Sequence, residues 1–307
     1  MDDRSELAVR VVDEMERVGG RFPGYRRAHA RGLCFAGVFT PSGEARTLTT
    51  AAHLQAEPVP ATIRFSNASA DPHAVNAGSA RGMAVKFHLP DGTDTDVVAV
   101  SLSRFLAPTP EVFLELLGAT ERDPATGNPD PTRARAFLAA HPECAAGLQE
   151  ARSLASPVSY ATERYSALHA FTLVNAGGLR QSVRYRWEPD AGVATLSEQE
   201  AAGAAPQYLA EALTRRLEEG PVGFSLHLQL AAEGDPTNDS TRPWPSDRRD
   251  IVAGRLEVTG PVGDQLDDCE RRIFDPTSVT AGIECSDDPV LNFRPLAYDV
   301  SYRRRGR

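Results

Sequence analysis

Short stretches of alternating apolar and polar residues run along much of the chain and predict β-strands. Turn signals such as Pro41-Ser-Gly43 and Pro90-Asp-Gly92 separate them. The predicted strands are 32–40, 61–65, 82–89, 96–102, 179–187, 222–232 and 250–258. Phe65, Val85 and Phe87 alternate within their strands, which assigns them to the core side. Many short strands with frequent turns are typical of a β-barrel or a β-sandwich.

Apolar residues recur every three or four positions elsewhere, and this period predicts amphipathic helices. Leu7, Val11 and Met15 form such a stripe within residues 5–18, and a pair of glycines ends it. Further helices are expected outside the β-rich body, at residues 132–140, 142–154 and 197–219. The chain therefore combines a strand-rich core with peripheral helices.

A last helix is predicted at residues 286–305. Acidic residues at its start and arginines at its end suit the helix dipole. Arg294, Tyr298 and Arg305 share one stripe of this helix, and a basic, phenolic face suits an anionic or metallic ligand better than a core. Pro295 should bend the helix between Arg294 and Tyr298, because a proline inside a helix removes one backbone hydrogen bond.

The composition is that of an ordinary globular protein. The 307 residues are 41% hydrophobic and 24% charged, with a net charge of −9. This charge argues against a nucleic-acid binder, since the basic residues cluster only in a short run near the C-terminus. No apolar stretch is long enough to span a membrane, and the acidic N-terminus lacks the apolar region of a secretory signal. We therefore expect a cytoplasmic protein that binds neither nucleic acid nor membrane.

The four cysteines are scattered along the chain. Cys34, Cys144, Cys269 and Cys285 form no Cys-x-x-Cys pair and no zinc motif. In a cytoplasmic protein this spacing favours reduced thiols over a disulfide framework.

The C-terminal stretch resembles the haem-ligand segment of the haem catalases. The matching residues are the run Phe274-Asp-Pro-Thr-Ser-Val-Thr-Ala-Gly-Ile-Glu284, the run Ser286-Asp-Asp-Pro-Val-Leu291 and the pair Arg294-x-x-x-Tyr298. In that family the tyrosine is the proximal ligand of the iron, and the arginine one turn earlier contacts its oxygen. The resemblance thus implies that Tyr298 binds haem iron and that Arg294 supports it. A phenol ordinarily titrates near pH 10, so a phenolate at neutral pH needs a neighbouring cation and a ferric ion.

A second stretch resembles the distal histidine segment of catalases. Arg26-Arg-Ala-His29-Ala-Arg-Gly32 matches the family pattern Arg-x-x-His-Ala-Lys/Arg-Gly. The resemblance implies that His29 is the acid and base above the iron and that Arg26 pairs with a haem propionate. Ile63-Arg-Phe-Ser66 resembles the family's Val-Arg-Phe-Ser strand, so Arg64 would be a second propionate partner and Ser66 would orient the His29 ring.

Two further residues are carried over from the family. Phe113, at the end of the run that begins at Phe105, would stack on the distal face of the porphyrin. Arg305 matches the third arginine on the propionate side. His169 lies in a strand that resembles a catalase strand, but we interpret it as a structural histidine.

The matches run in family order from residue 26 to residue 305 and resemble the small, catalase-related haem peroxidases. The resemblance implies a single α+β domain over residues 1–307. Its core would be a catalase-like antiparallel β-barrel at 32–260 that encloses haem b, with peripheral helices and the haem-ligand helix at 286–305.

The expected activity is reduction of hydrogen peroxide or an organic hydroperoxide by a small organic reductant. Catalases place an asparagine in the distal pocket, whereas Val100 and Ser101 stand at the matching place here. Ser79 stands where the large catalases have an aspartate. Loss of the amide donor should leave weak or no catalase activity. Two alternatives stay open: a hydroperoxide isomerase of the allene oxide synthase type, and a barrel that only carries haem or another ligand. The sequence fits either a monomer or a homodimer.

Overall fold

In the described part of the chain, ten strands form one antiparallel sheet, and eight of them close into a barrel. The computed structural model describes residues 2–74, 79–123 and 126–305, apart from the side chains of residues 267 and 268. The strands are β1 Gly32–Pro41, β2 Val59–Asn67, β3 Arg81–His88, β4 Asp94–Val100, β5 Tyr165–Ser166, β6 Phe171–Val174, β7 Arg180–Pro189, β8 Val222–Leu230, β9 Asp250–Pro261 and β10 Ile283–Cys285. The ring runs β7-β5-β4-β3-β2-β1-β9-β8, and the pairing of β8 with β7 closes it. The short strands β6 and β10 extend the sheet from β7.

Side chains fill the inside of the barrel. Phe65, Val85 and Phe87 are fully buried, as their alternation predicted. Phe87 packs edge-on against Phe39 with ring centroids 5.2 Å apart, and Phe39 packs against Trp187 at 6.2 Å. Burying a large apolar side chain contributes roughly 1.5–3 kcal/mol, so this aromatic cluster is a main source of stability. Residues that alternate with Phe65 on β2 point to the opposite face of the sheet, outside this core.

Seven α-helices of the described residues pack around the barrel and confirm the α+β class. They are α1 Asp3–Gly19, α2 Pro110–Ala119, α3 Pro131–Ala140, α4 Ala145–Arg152, α5 Glu198–Ala202, α6 Tyr208–Glu219 and α7 Arg294–Arg303. Helix α1 packs against α2 and α7 in a cluster that includes Val11, Phe113 and Phe293. None of the helices in the described ranges has the length and apolar character needed to cross a bilayer.

The predicted helix at 286–305 is shorter than expected, and the predicted bend at Pro295 is wrong. Helix α7 begins at Arg294, after a 3₁₀ turn at Leu291–Phe293. Pro295 therefore lies in the first helical turn, where the missing N–H has no intrahelical partner to lose. The backbone is regular between Arg294 and Tyr298, which keeps these two side chains one turn apart on the same face.

The expectation of reduced thiols is wrong for two of the four cysteines. Cys34 and Cys269 form a disulfide, with Cα atoms 5.4 Å apart, and both residues are fully buried. Cys144 and Cys285 have free thiols. The bonded cysteines are 235 residues apart in sequence, so no local motif could indicate the pair.

Candidate active site

A cavity of about 720 Å³ lies where β2, β3 and β4 meet the helices α1, α2 and α7. All eight residues that the sequence nominated line it: Arg26, His29, Arg64, Ser66, Phe113, Arg294, Tyr298 and Arg305. They come from the N-terminal loop, strand β2, helix α2 and helix α7 with the turn after it. The volume falls within the usual range for pockets that bury a small molecule.

His29 occupies a strained stretch of backbone on one side of the cavity. Its φ of 52° is the one positive value among the non-glycine residues that the structure describes. Such a conformation costs of order 1–3 kcal/mol and persists only where its surroundings enforce it. The Nδ1 atom lies 3.0 Å from Ser66 Oγ, and the carbonyl accepts a hydrogen bond of 2.9 Å from Arg64 Nη2. Two side chains of β2 therefore hold the ring and the main chain of His29.

The His29 ring is neutral at ordinary pH. It keeps accessible surface towards the cavity but lies deep within the protein, and this burial lowers its pKa to about 3. The positive charges of Arg64, Arg294 and Arg26 lower the pKa further. A neutral imidazole can accept a proton, as a general base must.

Two glycines make room for these side chains, and the sequence reasoning did not single them out. A Cβ on Gly82 would lie 2.9 Å from His29 Nδ1 and 2.9 Å from Ser66 Oγ. A Cβ on Gly32 would lie 2.4 Å from Arg64 Cζ. Gly32 ended a matched motif and Gly82 began a predicted strand, but the role of each depends on contacts across strands that a sequence does not show.

Tyr298 lies on the side of the cavity formed by α7. Its Oη accepts a hydrogen bond of 2.8 Å from Arg294 Nε, one helical turn earlier. Both side chains are half-buried and line the cavity. Arg294 thus fixes the position of a phenol oxygen that belongs to the lining of the cavity.

A buried pair behind this helix was missed as part of the site. His169 lines the cavity, and its Nδ1 lies 2.7 Å from Asp288 Oδ2. The other oxygen of Asp288 accepts the N–H groups of Val290 and Leu291, just before α7. Burial alone would raise the pKa of Asp288, but its hydrogen bonds with His169 and with the two backbone N–H groups hold it below its usual value. The hydrogen bond to Asp288 agrees with our interpretation of His169 as a structural histidine, but the residue also lines the cavity.

Three arginines crowd one end of the cavity. Burial lowers the pKa values of Arg26, Arg64 and Arg305, and the charge of Arg64 lowers those of the other two further. Glu270 is the acidic partner of Arg26 and Arg64, at 2.5 and 3.2 Å. The buried Nε atoms of Arg64 and Arg305 have no hydrogen-bond partner within the described residues. Buried guanidinium N–H groups that lack a partner call for an anionic ligand, and the propionates of a haem fit them.

The rest of the lining is mainly apolar. Phe113 packs against Phe105, with ring centroids 5.5 Å apart, and both rings face the cavity. Val100 lines the cavity where the family has an amide, and no asparagine or glutamine of the described ranges does so. Ser101, whose Oγ accepts the N–H of Arg81 at 2.9 Å, is not among the residues that line the cavity.

The loop that carries His29 is attached to the turn after α7. Gly24 N–H donates to the carbonyl of Arg305 at 2.8 Å. Arg27 Nη2 donates to the carbonyl of Arg304 at 3.0 Å. The site is thus assembled from residues near both ends of the sequence.

Proteins similar in sequence include catalase-related peroxidases. The family model described as "Catalase" matches residues 11–306. A catalase-related peroxidase of Mycolicibacterium paratuberculosis is 40% identical over 299 residues, which cover 96% of this chain and 93% of that protein. A catalase-related peroxidase of Synechococcus elongatus is 33% identical over 298 residues, which cover 97% of this chain and 88% of that protein.

Solved structures of similar fold include two catalases. A fungal catalase superposes with a TM-score of 0.81 at 21% identity, over 96% of this chain and 62% of that one. A bacterial catalase superposes with a TM-score of 0.82 at 21% identity, over 97% of this chain and 60% of that one. At this identity the likeness concerns the fold alone, and this chain spans about three fifths of those proteins, 62% and 60%.

Proposed function

Because the chain belongs to the catalase family, we propose that it is a haem-dependent peroxidase. It would reduce hydrogen peroxide or an organic hydroperoxide with a small organic electron donor. The observation that carries this proposal is that His29 and Tyr298 line one cavity, with three arginines at its end. The cavity thus combines a histidine that can act as acid and base, a tyrosine that can bind ferric iron, and arginines that can bind two carboxylates.

The residues of this cavity fit a haem, and we assign haem b. Tyr298 would bind the iron, with Arg294 holding the phenolate oxygen. Arg26, Arg64 and Arg305 would bind the propionates, and Phe113 would pack on the porphyrin face. Bound haem would supply the redox-active iron at which the oxygen–oxygen bond of the peroxide breaks.

His29 would move the proton in this reaction. A neutral imidazole takes the proton from one peroxide oxygen and returns it to the other, so that water or an alcohol leaves instead of an anion. For Nε2 to accept the proton, Nδ1 must carry hydrogen and donate it to Ser66 Oγ, 3.0 Å away. The Ser66 hydroxyl can accept this hydrogen, and its contact orients the ring.

The apolar lining favours an organic donor over a second peroxide. An amide that could position peroxide is replaced by Val100, and losing one such donor costs roughly 100–1,000-fold in comparable sites. In the balanced reaction, one hydroperoxide and one donor that gives up two electrons and two protons yield an alcohol, water and the oxidised donor. The relatives at 40% and 33% identity are named peroxidases, which disfavours the isomerase and carrier alternatives. A cytoplasmic location and a monomeric or homodimeric state stay predictions.

The test compares oxygen release with donor oxidation in protein loaded with hemin. We expect a ferric haem spectrum, donor oxidation faster than oxygen release, and no rearranged hydroperoxide among the products. His29→Ala should retain haem but lose donor oxidation by about 100-fold or more. Unchanged oxidation in His29→Ala would favour the carrier, and a rearranged product without donor oxidation would favour the isomerase.

A further inference from the structure

A short segment beside the cavity touches all three arginines. It includes the π-helical turn Leu266–Glu270, and it lies outside the residues that the catalase resemblance assigned. Glu270 accepts from Arg26 Nη1 at 2.5 Å and from Arg64 Nη2 at 3.2 Å through its two carboxylate oxygens. Its backbone carbonyl accepts from Arg305 Nη1 at 2.6 Å. One residue therefore contacts three guanidinium groups.

Backbone carbonyls of the same segment hold the first of these arginines further. Arg26 Nη2 donates to the carbonyls of Cys269 at 3.2 Å and Arg272 at 2.7 Å. The side chain of Arg26 is 11% exposed and that of Arg64 4%, so these hydrogen bonds are shielded from water. Guanidinium groups fixed in this way present their remaining N–H groups in a set direction.

The segment is itself fastened to strand β1 at one residue. Cys34 bonds to Cys269 through the disulfide, and both backbone polar groups of Cys34 bond to the Gln265 side-chain amide, at 2.9 and 2.8 Å. Cys34 is also the direct partner of Arg64 in the pairing of β1 with β2. The covalent link therefore fixes Glu270, the next residue after Cys269, close to the arginine that it binds.

The charges of this cluster match a ligand with two carboxylates. Arg26, Arg64, Arg305 and Glu270 together carry a net charge of plus two. The two propionates of a haem would neutralise that charge, and buried charges are tolerated only when they are paired. Without Glu270, three buried guanidinium groups would repel one another in the empty protein.

We propose that the segment 265–272, anchored by the Cys34–Cys269 disulfide, positions the three arginines for the haem propionates, with Glu270 as the positioning residue. This inference rests on the proposed haem function. It explains why a disulfide occurs at this place: it restrains the turn from which the arginines are held. Removing the disulfide should weaken the hold on a haem with free carboxylates and leave the rest of the cavity unchanged.

The test measures how fast hemin leaves the protein for an excess of a haem-scavenging protein. The variant is Cys34→Ala/Cys269→Ala, and the matched control is Cys144→Ala, which removes a buried free thiol elsewhere. We expect hemin loss about 10–100-fold faster in the variant, as for other residues that support a ligand contact, and unchanged in the control. Hemin dimethyl ester, which lacks free carboxylates, should leave the wild type and the variant at the same rate.

The rate of hemin loss from Glu270→Ala is a second, independent measurement. It also tests the same segment if the double cysteine variant does not fold. It should speed hemin loss by a similar factor, and adding the cysteine changes should then have little further effect, because both act on the same contacts. Slower hemin loss in Glu270→Ala would show that Glu270 competes with the propionates, which overturns the proposal.

The outcomes separate this inference from the proposed function. Wild-type protein that does not bind hemin contradicts the haem function and with it the positioning role. Wild-type protein that binds hemin, with Cys34→Ala/Cys269→Ala and Glu270→Ala releasing it at the wild-type rate, overturns the positioning role alone. Equal acceleration for hemin and its dimethyl ester also overturns it, because general loosening of the fold then explains the effect.

Discussion

The two sides of the cavity are built in different ways. On one side, His29 occupies a loop with a left-handed backbone, and Ser66 and Arg64 hold its ring and its carbonyl. On the other side, Tyr298 occupies a regular helix, and Arg294 reaches its oxygen from one turn earlier. The first arrangement depends on crowded neighbours, whereas the second follows from helical geometry and one polar contact.

This difference predicts how each side responds to substitution. A side chain whose conformation is imposed by crowded neighbours is displaced when an atom is added beside it. A side chain on a regular helix stays in place, so only the loss of its own polar atom or of its partner changes the chemistry. Added side-chain volume should therefore impair the His29 side. The Tyr298 side should instead be impaired by the removal of a single oxygen atom.

The largest expected effect comes from removing that oxygen. Tyr298→Phe keeps the ring but deletes the atom that Arg294 contacts and that we assign to the iron. Hemin affinity should fall by more than about 100-fold, since even supporting residues of metal sites contribute about 10–100-fold. Hemin titration followed by absorbance measures this. The matched control is Tyr302→Phe, an exposed tyrosine on the same helix, which should bind hemin like the wild type. Equal affinity in Tyr298→Phe and the wild type would contradict the assigned ligand.

A smaller effect should follow from adding one methyl group on the other side. Gly82→Ala places a Cβ 2.9 Å from the His29 ring and must displace it. Donor oxidation should fall by about 10–100-fold, because a shift of about 1 Å in a catalytic group has this effect. Hemin affinity should change less. Gly260→Ala is the control, since its new methyl group meets nothing within 4 Å. Wild-type turnover in Gly82→Ala would show that the His29 side is not limited by volume.

The smallest expected effect concerns acid and the buried histidines. Burial lowers the pKa values of His29 and His53 to about 3, against 6.5 in an unfolded chain. Between pH 3 and pH 6.5 the unfolded state therefore binds more protons than the folded state. The contribution of these histidines to the free energy of unfolding is fully present above pH 6.5 and is lost as the pH falls towards 3. His53→Leu should reduce the slope of unfolding free energy against pH by up to about 1.4 kcal/mol per unit. Denaturant unfolding at pH 4–7 measures this slope.

The effects of His29 and His53 on stability can be told apart by measuring donor oxidation as well. His53 stacks on Phe87 in the barrel core, and its Nδ1 has no partner in the described structure. His53→Leu should therefore keep full donor oxidation, whereas His29→Ala should reduce both the slope and the activity. An unchanged slope in both variants would mean that neither ring is buried as neutral imidazole.

Much of the fold could be predicted because its signals are local. The period of two assigned Phe65 and Phe87 correctly, and the strands 32–40 and 82–89 lie within one or two residues of β1 and β3. The start of α7 was predicted wrongly because a proline can occur at two places in a helix. It can lie in the first turn, or it can lie in the interior and bend the helix there. Only backbone geometry distinguishes these, and it places Pro295 in the first turn.

The missed parts of the site join residues that are far apart in sequence. His169 and Asp288 are 119 residues apart, and Arg26 and Glu270 are 244 apart. Periodicity cannot pair such residues, because their contact depends on the closure of the barrel. The motif residues themselves could be named from the resemblance, but the space that Gly82 leaves for His29 could not.

The attachment of the His29 loop to the residues after α7 has a consequence for biosynthesis. Arg27 bonds a carbonyl that lies 277 residues later in the chain. At about 5–20 residues per second, a ribosome needs roughly 15–55 s to supply that partner. Contacts over such separations form late, because closing a long loop must precede them. The loop that carries His29 can therefore make this contact only after Arg304 has been translated, long after Arg64 and Ser66 are available to hold the histidine itself.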